Sequence, residues 1–170
     1  MQLWYASSVL KRTYDDQVCS IASALELVGE RWTLLILRDV FLGVHRFDDL
    51  QRGLGVARNV LTDRLTKLVD AGILQKRAYQ ERPQRFEYRL TPKGNDLWPV
   101  LHSMMLWGDK HAQASPAGPP TIIEHRGCGG AIDERRVCDR CGALATGVAD
   151  VEARPGPGAT PGHPLLRRAA

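Results

Sequence analysis

The 170-residue sequence has no apolar run near the ~20 residues with which a helix crosses a bilayer. A membrane span is therefore not expected. The first residues lack the apolar stretch of a secretory signal, so a cytoplasmic location is expected. Cysteine is scarce, with four in the chain, and cytoplasmic thiols stay reduced. A disulfide scaffold is thus not expected either, and the four thiols need another explanation. No Ser-His-Asp order, paired carboxylates or Gly-rich phosphate loop stands in a catalytic context, so the chain does not read as an enzyme. His45, His102 and His111 are isolated and read as structural or solvated. No internal repeat is visible.

What is present points to a globular protein. Hydrophobic residues make up 44% of the chain, and its length suits one ordinary domain with appendages. The net charge is +4. Between residues 46 and 93 there are eleven Lys and Arg against six Asp and Glu; the remainder has twelve against thirteen. The whole basic excess lies in that middle segment, which suits a polyanionic partner.

Periodicity orders the elements. Ile21, Leu25 and Val28 form one helical stripe, Gly29 fits its stop, and the pattern resumes over residues 32–41. "RFDDLQRGL" reads as a short helix, with Gly53 and Gly55 bracketing a turn. "GVARNVLTDRLTKLVDAGIL", residues 55–74, reads as a longer amphipathic helix. Residues 73–79 and 85–90 have strand character, and "QERPQR" between them reads as a hairpin tip. Thr91 and Pro92 then start a helix reaching about His111, which Pro99 should kink. "QASPAGPP" is a linker. Residues 121–145 carry three cysteines, and the Pro- and Gly-rich tail over 150–170 is expected to be disordered.

The long amphipathic helix offers two faces. Leu61, Leu65 and Leu68 are built for burial; Asn59, Thr62, Asp63, Thr66 and Lys67 fall opposite them. A short helix turning into such a helix matches a helix-turn-helix, whose second helix needs one face for its domain and one for the major groove. Arg58 lies at its start, where base-reading residues concentrate. Arg and Asn can bond base edges in two places, and Thr can meet a base or a methyl group. The DNA-binding candidates are Arg58, Asn59, Thr62, Asp63, Arg64, Thr66 and Lys67 on the helix. Arg82 and Arg85 join them from the hairpin, within reach of phosphates or the minor groove. A solvated amphipathic helix is the plain alternative.

The segments "GERWTLLILRD", "RFDDL", "VLTDRLTKLVDAGIL", "PQRFEYRLTPKG" and "LWPVL" together resemble the HxlR-type winged helix-turn-helix transcriptional regulators, relatives of the MarR group, over residues 19–111. The resemblance implies a mainly α fold with a small β-hairpin wing and a homodimer on double-stranded DNA at a near-palindromic operator. The recognition helix would span residues 58–71 and the wing 73–90. Residues 1–18 would be a leader serving as a dimer arm, and 19–113 the DNA-binding and dimerisation domain. One departure is Ala57, where such proteins often carry Ser; Ala cannot cap the helix through a side-chain oxygen. Some relatives sense electrophiles or oxidants through an N-terminal cysteine, and Cys19 matches that position. Burial at a helix start is the plainer alternative for it.

"HRGCGGAIDERRVCDRCG" spaces His125, Cys128, Cys138 and Cys141 as two ligand pairs, which suits a structural zinc site in a small ribbon-like segment. A degenerate ribbon without metal is the alternative. Trp98, Met104 and Trp107 could line a cavity for a small-molecule effector, or merely pack. Two further functions compete with a DNA-binding regulator. One is a redox or electrophile sensor of the same fold acting through Cys19; the other is a protein-interaction module without DNA binding.

Overall fold

The computed structural model describes residues 13–14, 17–112 and 115–167. Trp4, Tyr5 and most of the expected leader lie outside these residues. Helices α1 (Ser20–Val28), α2 (Thr33–Phe41), α3 (Phe47–Leu54) and α4 (Arg58–Asp70) come first. Strands β1 (Leu74–Glu81) and β2 (Gln84–Leu90) pair antiparallel, then α5 (Pro92–Asn95) and α6 (Trp98–His111) follow. A second antiparallel pair, β3 (Thr121–His125) and β4 (Val151–Pro155), lies in the C-terminal part, with α7 (Pro164–Arg167) behind it.

One apolar core joins the first four helices to the hairpin. Leu61, Leu65 and Leu68 of α4 are fully buried against Ile36, Leu37 and Val40 of α2 and Leu50 of α3. Each such side chain contributes about 1.5–3 kcal/mol of apolar burial. The hairpin is tied to that body at its root. Tyr88 N donates to the His45 carbonyl at 2.8 Å, and Arg46 bridges Glu87.

"TPKG" closes the hairpin onto the next helix. Thr91 Oγ1 donates to the Gly72 carbonyl at 2.6 Å and accepts from Gly94 N at 3.1 Å. A Cβ on Gly94 would stand 2.2 Å from the Ile73 oxygen, so a side chain there would break the joint. The expected kink at Pro99 is replaced by a break. The helix stops at Asn95 and restarts at Trp98, which puts Pro99 in the first turn, where its missing N–H costs nothing.

Of the tail over 150–170, the described residues, through 167, carry regular structure. Its residues 151–155 supply β4, and Pro164 and His163 are buried. Two of its glycines serve close approach. A Cβ on Gly156 would lie 2.1 Å from the Pro119 oxygen, and one on Gly158 2.1 Å from the Gly118 oxygen. Strand β3 needs a partner, and the alternation of buried Val151 and half-buried Ala153 provides it. The appended segment therefore runs well past residue 145. Its core of Ile132, Cys138, Ala145 and Val151 is completed by Trp98 from α6, with Phe41 of α2 packed against it. Among the described residues no helix is long and apolar enough to cross a membrane.

Candidate nucleic-acid interface and metal centre

Gly55 ends α3 in the left-handed region, with φ 63°, and turns the chain into α4. Gly suits that conformation because it has no Cβ to clash. Ala57 occupies the N-cap of α4 in extended conformation, without a side-chain cap, as its side chain requires. Arg58, Asn59, Thr62 and Thr66 are exposed along one side of α4. The Arg58 guanidinium lies over the Phe47 ring at 4.7 Å and 3.9 Å from Asp48. Thr62 spends its hydroxyl proton on the Arg58 carbonyl at 2.8 Å, which leaves its methyl and an oxygen lone pair outward.

The remaining three candidates on α4 point to a different neighbour. Arg64 is only 16% exposed; it pairs with Glu30 at 2.5 Å, with Asp63, and donates to the Arg31 carbonyl at 3.2 Å. Lys67 bonds Glu30 at 3.2 Å and approaches Asp63 at 3.4 Å. The hydrogen bond to Glu30, helped by Asp63, raises the Lys67 pKa above its ordinary value against a small desolvation. Asp63, Arg64 and Lys67 thus tie α4 to the corner between α1 and α2.

Arg82 and Arg85 are exposed at the hairpin end. Between that hairpin, α3 and the start of α4 lies a cleft of about 460 Å³. Arg46, Arg52, Arg58, Lys76 and Arg85 line it, against Asp48 and Asp49. Arg46 sits over Tyr79 at 4.6 Å, and the Lys76 ammonium over Phe86 at 4.0 Å. Such cation–π contacts hold cationic heads in place without neutralising them. Sequence reasoning missed Arg46, Arg52 and Lys76. Lys76 shares a face of β1 with Leu74 and stands opposite Tyr88, and that period-2 spacing was the available signal for it.

The C-terminal segment gathers four ligand-type atoms. His125 Nδ1 lies 3.2 Å from Cys128 Sγ and 3.3 Å from Cys141 Sγ; Cys128 Sγ lies 3.4 Å from Cys138 Sγ and 3.6 Å from Cys141 Sγ. All four atoms fall within 4.8 Å of one another. A tetrahedral ion with bonds near 2.3 Å needs sulfur–sulfur separations of about 3.8 Å, so small adjustments would seat one. The group could hold a metal ion. Burial pushes the Cys138 thiol up, but backbone N–H donors of Cys141 and Arg140 and the neighbouring thiols outweigh it and set its pKa below the ordinary value. Gly130 is required by this geometry: a Cβ there would stand 2.4 Å from Cys138 Sγ.

Residues 27–116 match the HxlR-like helix-turn-helix family, just over half of the chain. The chain belongs to this family. It is 47% identical over 139 residues to an uncharacterized HTH-type transcriptional regulator of Mycobacterium bovis, covering 82% of this chain and 87% of that one. Among solved structures, the candidate transcription factor PA1607 is 33% identical with a TM-score of 0.62, over 75% of this chain and 88% of that chain. The redox regulator HypR in its oxidized form is 27% identical with a TM-score of 0.51, over 55% and 97%. In this HxlR-like chain the four-ligand cluster lies beyond residue 116, outside the matched segment. Cys19 precedes the match; it is exposed at the N-cap of α1 rather than buried. Lys11 and Arg12, near it in sequence, lie outside the described residues. Trp98 and Met104 line one apolar cavity with α2 and β3 residues, whereas Trp107 is 64% exposed and lies outside it.

Proposed function

We propose that the protein is a homodimeric, sequence-specific DNA-binding transcriptional regulator of the cytoplasm. The observation that carries this reading is the cationic cleft between α3, the start of α4 and the hairpin, beside an exposed Asn59–Thr62–Thr66 face. Those residue types suit base edges, and the arginines suit phosphates. Asn59, Thr62 and Thr66 would enter the major groove. Arg58 would stand at the groove edge, and Arg82 and Arg85 would meet the backbone or the adjacent minor groove. Asp63, Arg64 and Lys67 would hold α4 at its angle rather than read bases.

Pairing of two copies is supported by apolar side chains left exposed on α1 and α6: Ile21, Leu25, Val100, Met104 and Trp107. A face of this kind on a single chain marks an interaction surface. The leader would extend it as an arm. Two recognition helices roughly 34 Å apart would read a near-palindromic site. Sedimentation at micromolar concentration should give a dimer that binds one duplex. A monomer bound to single half-sites would overturn the reading.

The metal of the His125, Cys128, Cys138 and Cys141 cluster would be zinc, in a structural role. Thiolates and imidazole suit that ion, and four protein ligands leave no open position for water.

A second reading, a redox-responsive regulator, is favoured by the exposure of Cys19 and by the likeness to HypR. Cys19→Ser should leave DNA binding intact and remove its loss on diamide treatment. Equal release of DNA by the variant would exclude Cys19 from the response.

A further inference from the structure

The tail reaches back to the helix-turn-helix through one side chain. Arg167 of α7 places its Nη2 3.5 Å from Asp39 Oδ2 on α2. Asp39 has none of its side chain exposed, and Arg38 holds its other oxygen, Oδ1, at 2.7 and 2.9 Å. A buried carboxylate needs such partners, because an unpaired charge in the interior is costly. The Arg167 guanidinium also occupies the place of a side chain on α3. A Cβ on Gly53 would stand 1.8 Å from its Nη1. Gly53 lies in the last turn of α3, and glycine is otherwise a poor helix former. The close approach of Arg167 gives that glycine a role.

The tail is fastened to the lobe that carries the four-ligand cluster. His163 is only 8% exposed. The Leu165 N–H donates to its Nδ1 at 3.3 Å, so the proton of the neutral ring sits on Nε2 and is donated to Thr121 Oγ1 at 2.8 Å. Thr121 opens β3, and His125 of the cluster closes it, opposite Val151 of β4. One pair of strands therefore joins the metal-type ligands to the seat of Arg167. On the other side, α3 carries part of the cationic cleft. Its Phe47 holds the Arg58 guanidinium at 4.7 Å, and its Arg52 lines the cleft one residue before Gly53.

We propose that residues 156–167 form a strap through which metal binding in the C-terminal lobe strengthens DNA binding. With the ion in place, the β3–β4 pair holds His163 and α7, and Arg167 braces α3 against α2. Without it the pair loosens, Arg167 leaves Gly53 and Asp39, and the end of α3 moves more freely beside the cleft. The inference names a regulation of the DNA-binding reading and rests on it. Hydrogen exchange at α3, measured without DNA, keeps the failure of one apart from the failure of the other.

Zinc alone is the probe, and the full chain is compared zinc-loaded and stripped by chelator. Stripping should weaken binding to duplex DNA from upstream of the protein's own gene by about tenfold, within the range usual for coupled sites. Linkage then requires the duplex to raise zinc affinity by the same factor. Two variants cut the strap with opposite effects on α3 itself. Arg167→Ala removes the guanidinium, whereas Gly53→Ala displaces it and on its own favours the helix. Both should keep about one zinc per chain, and their duplex affinity should change less than about twofold on stripping. Without DNA, amides of residues 53–55 should exchange about tenfold faster in stripped wild type than in zinc-loaded wild type. In either variant, stripping should leave that exchange unchanged. Duplex binding indifferent to zinc in the wild type, or a zinc effect that persists in both variants, would overturn the proposal. Exchange over 53–55 that ignores zinc would do the same. If no duplex binds while that exchange follows zinc in the wild type alone, the strap stands and the DNA-binding reading falls.

Discussion

Cys138→Ser should reduce bound zinc from about one ion per chain to a small fraction and unfold the C-terminal lobe while α1 to α4 stay folded. Cys138 is 1% exposed and serves twice, as a ligand-type atom beside Cys128 and as a member of the apolar cluster with Ile132, Ala145 and Val151. That cluster is small and borrows Trp98 from α6. Ordering the backbone costs about 1–2 kcal/mol per residue, more than so few apolar side chains offset over the lobe. Structural zinc contributes on the order of 10 kcal/mol in small metal domains, which would make a bound ion the dominant support of the lobe. Hydrogen exchange checks this. Amides of the β3–β4 pair should lose protection in the variant, and amides of α4 should keep it. Tryptophan emission should shift to the red as Trp98 meets water. Full β3–β4 protection in metal-free protein would mean that the apolar cluster suffices alone.

The second large effect falls on DNA affinity, and it should separate three classes of residue. Arg82→Ala and Arg85→Ala should weaken operator and random DNA alike, each flattening the log–log salt dependence by about one unit. Both side chains are exposed at the hairpin end, and as phosphate contacts they would carry no sequence preference. Asn59→Ala should cost about 1–3 kcal/mol on the operator and little on random DNA, because a two-point contact to one base edge is what it would remove. Arg64→Ala should do neither. Its guanidinium is bonded to Glu30, Asp63 and the Arg31 carbonyl, so its loss should lower thermal stability and leave discrimination between sequences unchanged. Anisotropy titrations across a salt series measure all four. A specificity change in Arg64→Ala larger than in Asn59→Ala would reverse the assignment of the α4 faces.

The winged helix was legible in the sequence because its signals are local. Leu61, Leu65 and Leu68 mark the buried face of α4 by spacing alone, and each is fully buried. Thr91 and Gly94 announce a helix start, and the cap bond forms between them. The two pairs of metal-type ligands were legible for the same reason, since each pair encloses just two residues in a tight turn. What was not legible depends on distant partners. The tail reads as disordered because its prolines and glycines are counted without the strand they pack beside. Val151 and Gly156 acquire a role only once β3 and the linker carbonyls are in place. The division of the α4 polar face is equally nonlocal, because Glu30, 37 residues before Lys67, decides which cations are already satisfied. Helical spacing placed Pro99 correctly but could not tell a kink from a fresh first turn.

Hydroxyl-radical footprinting of the zinc-loaded protein on DNA upstream of its own and neighbouring genes tests the central claim most directly. A dimer seated through α4 and the hairpin should protect two backbone patches about one helical turn, roughly 34 Å, apart and related by an approximate two-fold axis. Arg82→Ala should fade the outer edge of each patch, and Asn59→Ala should abolish the preference for that site over flanking DNA. Uniform protection without phasing, unchanged in both variants, would contradict the account.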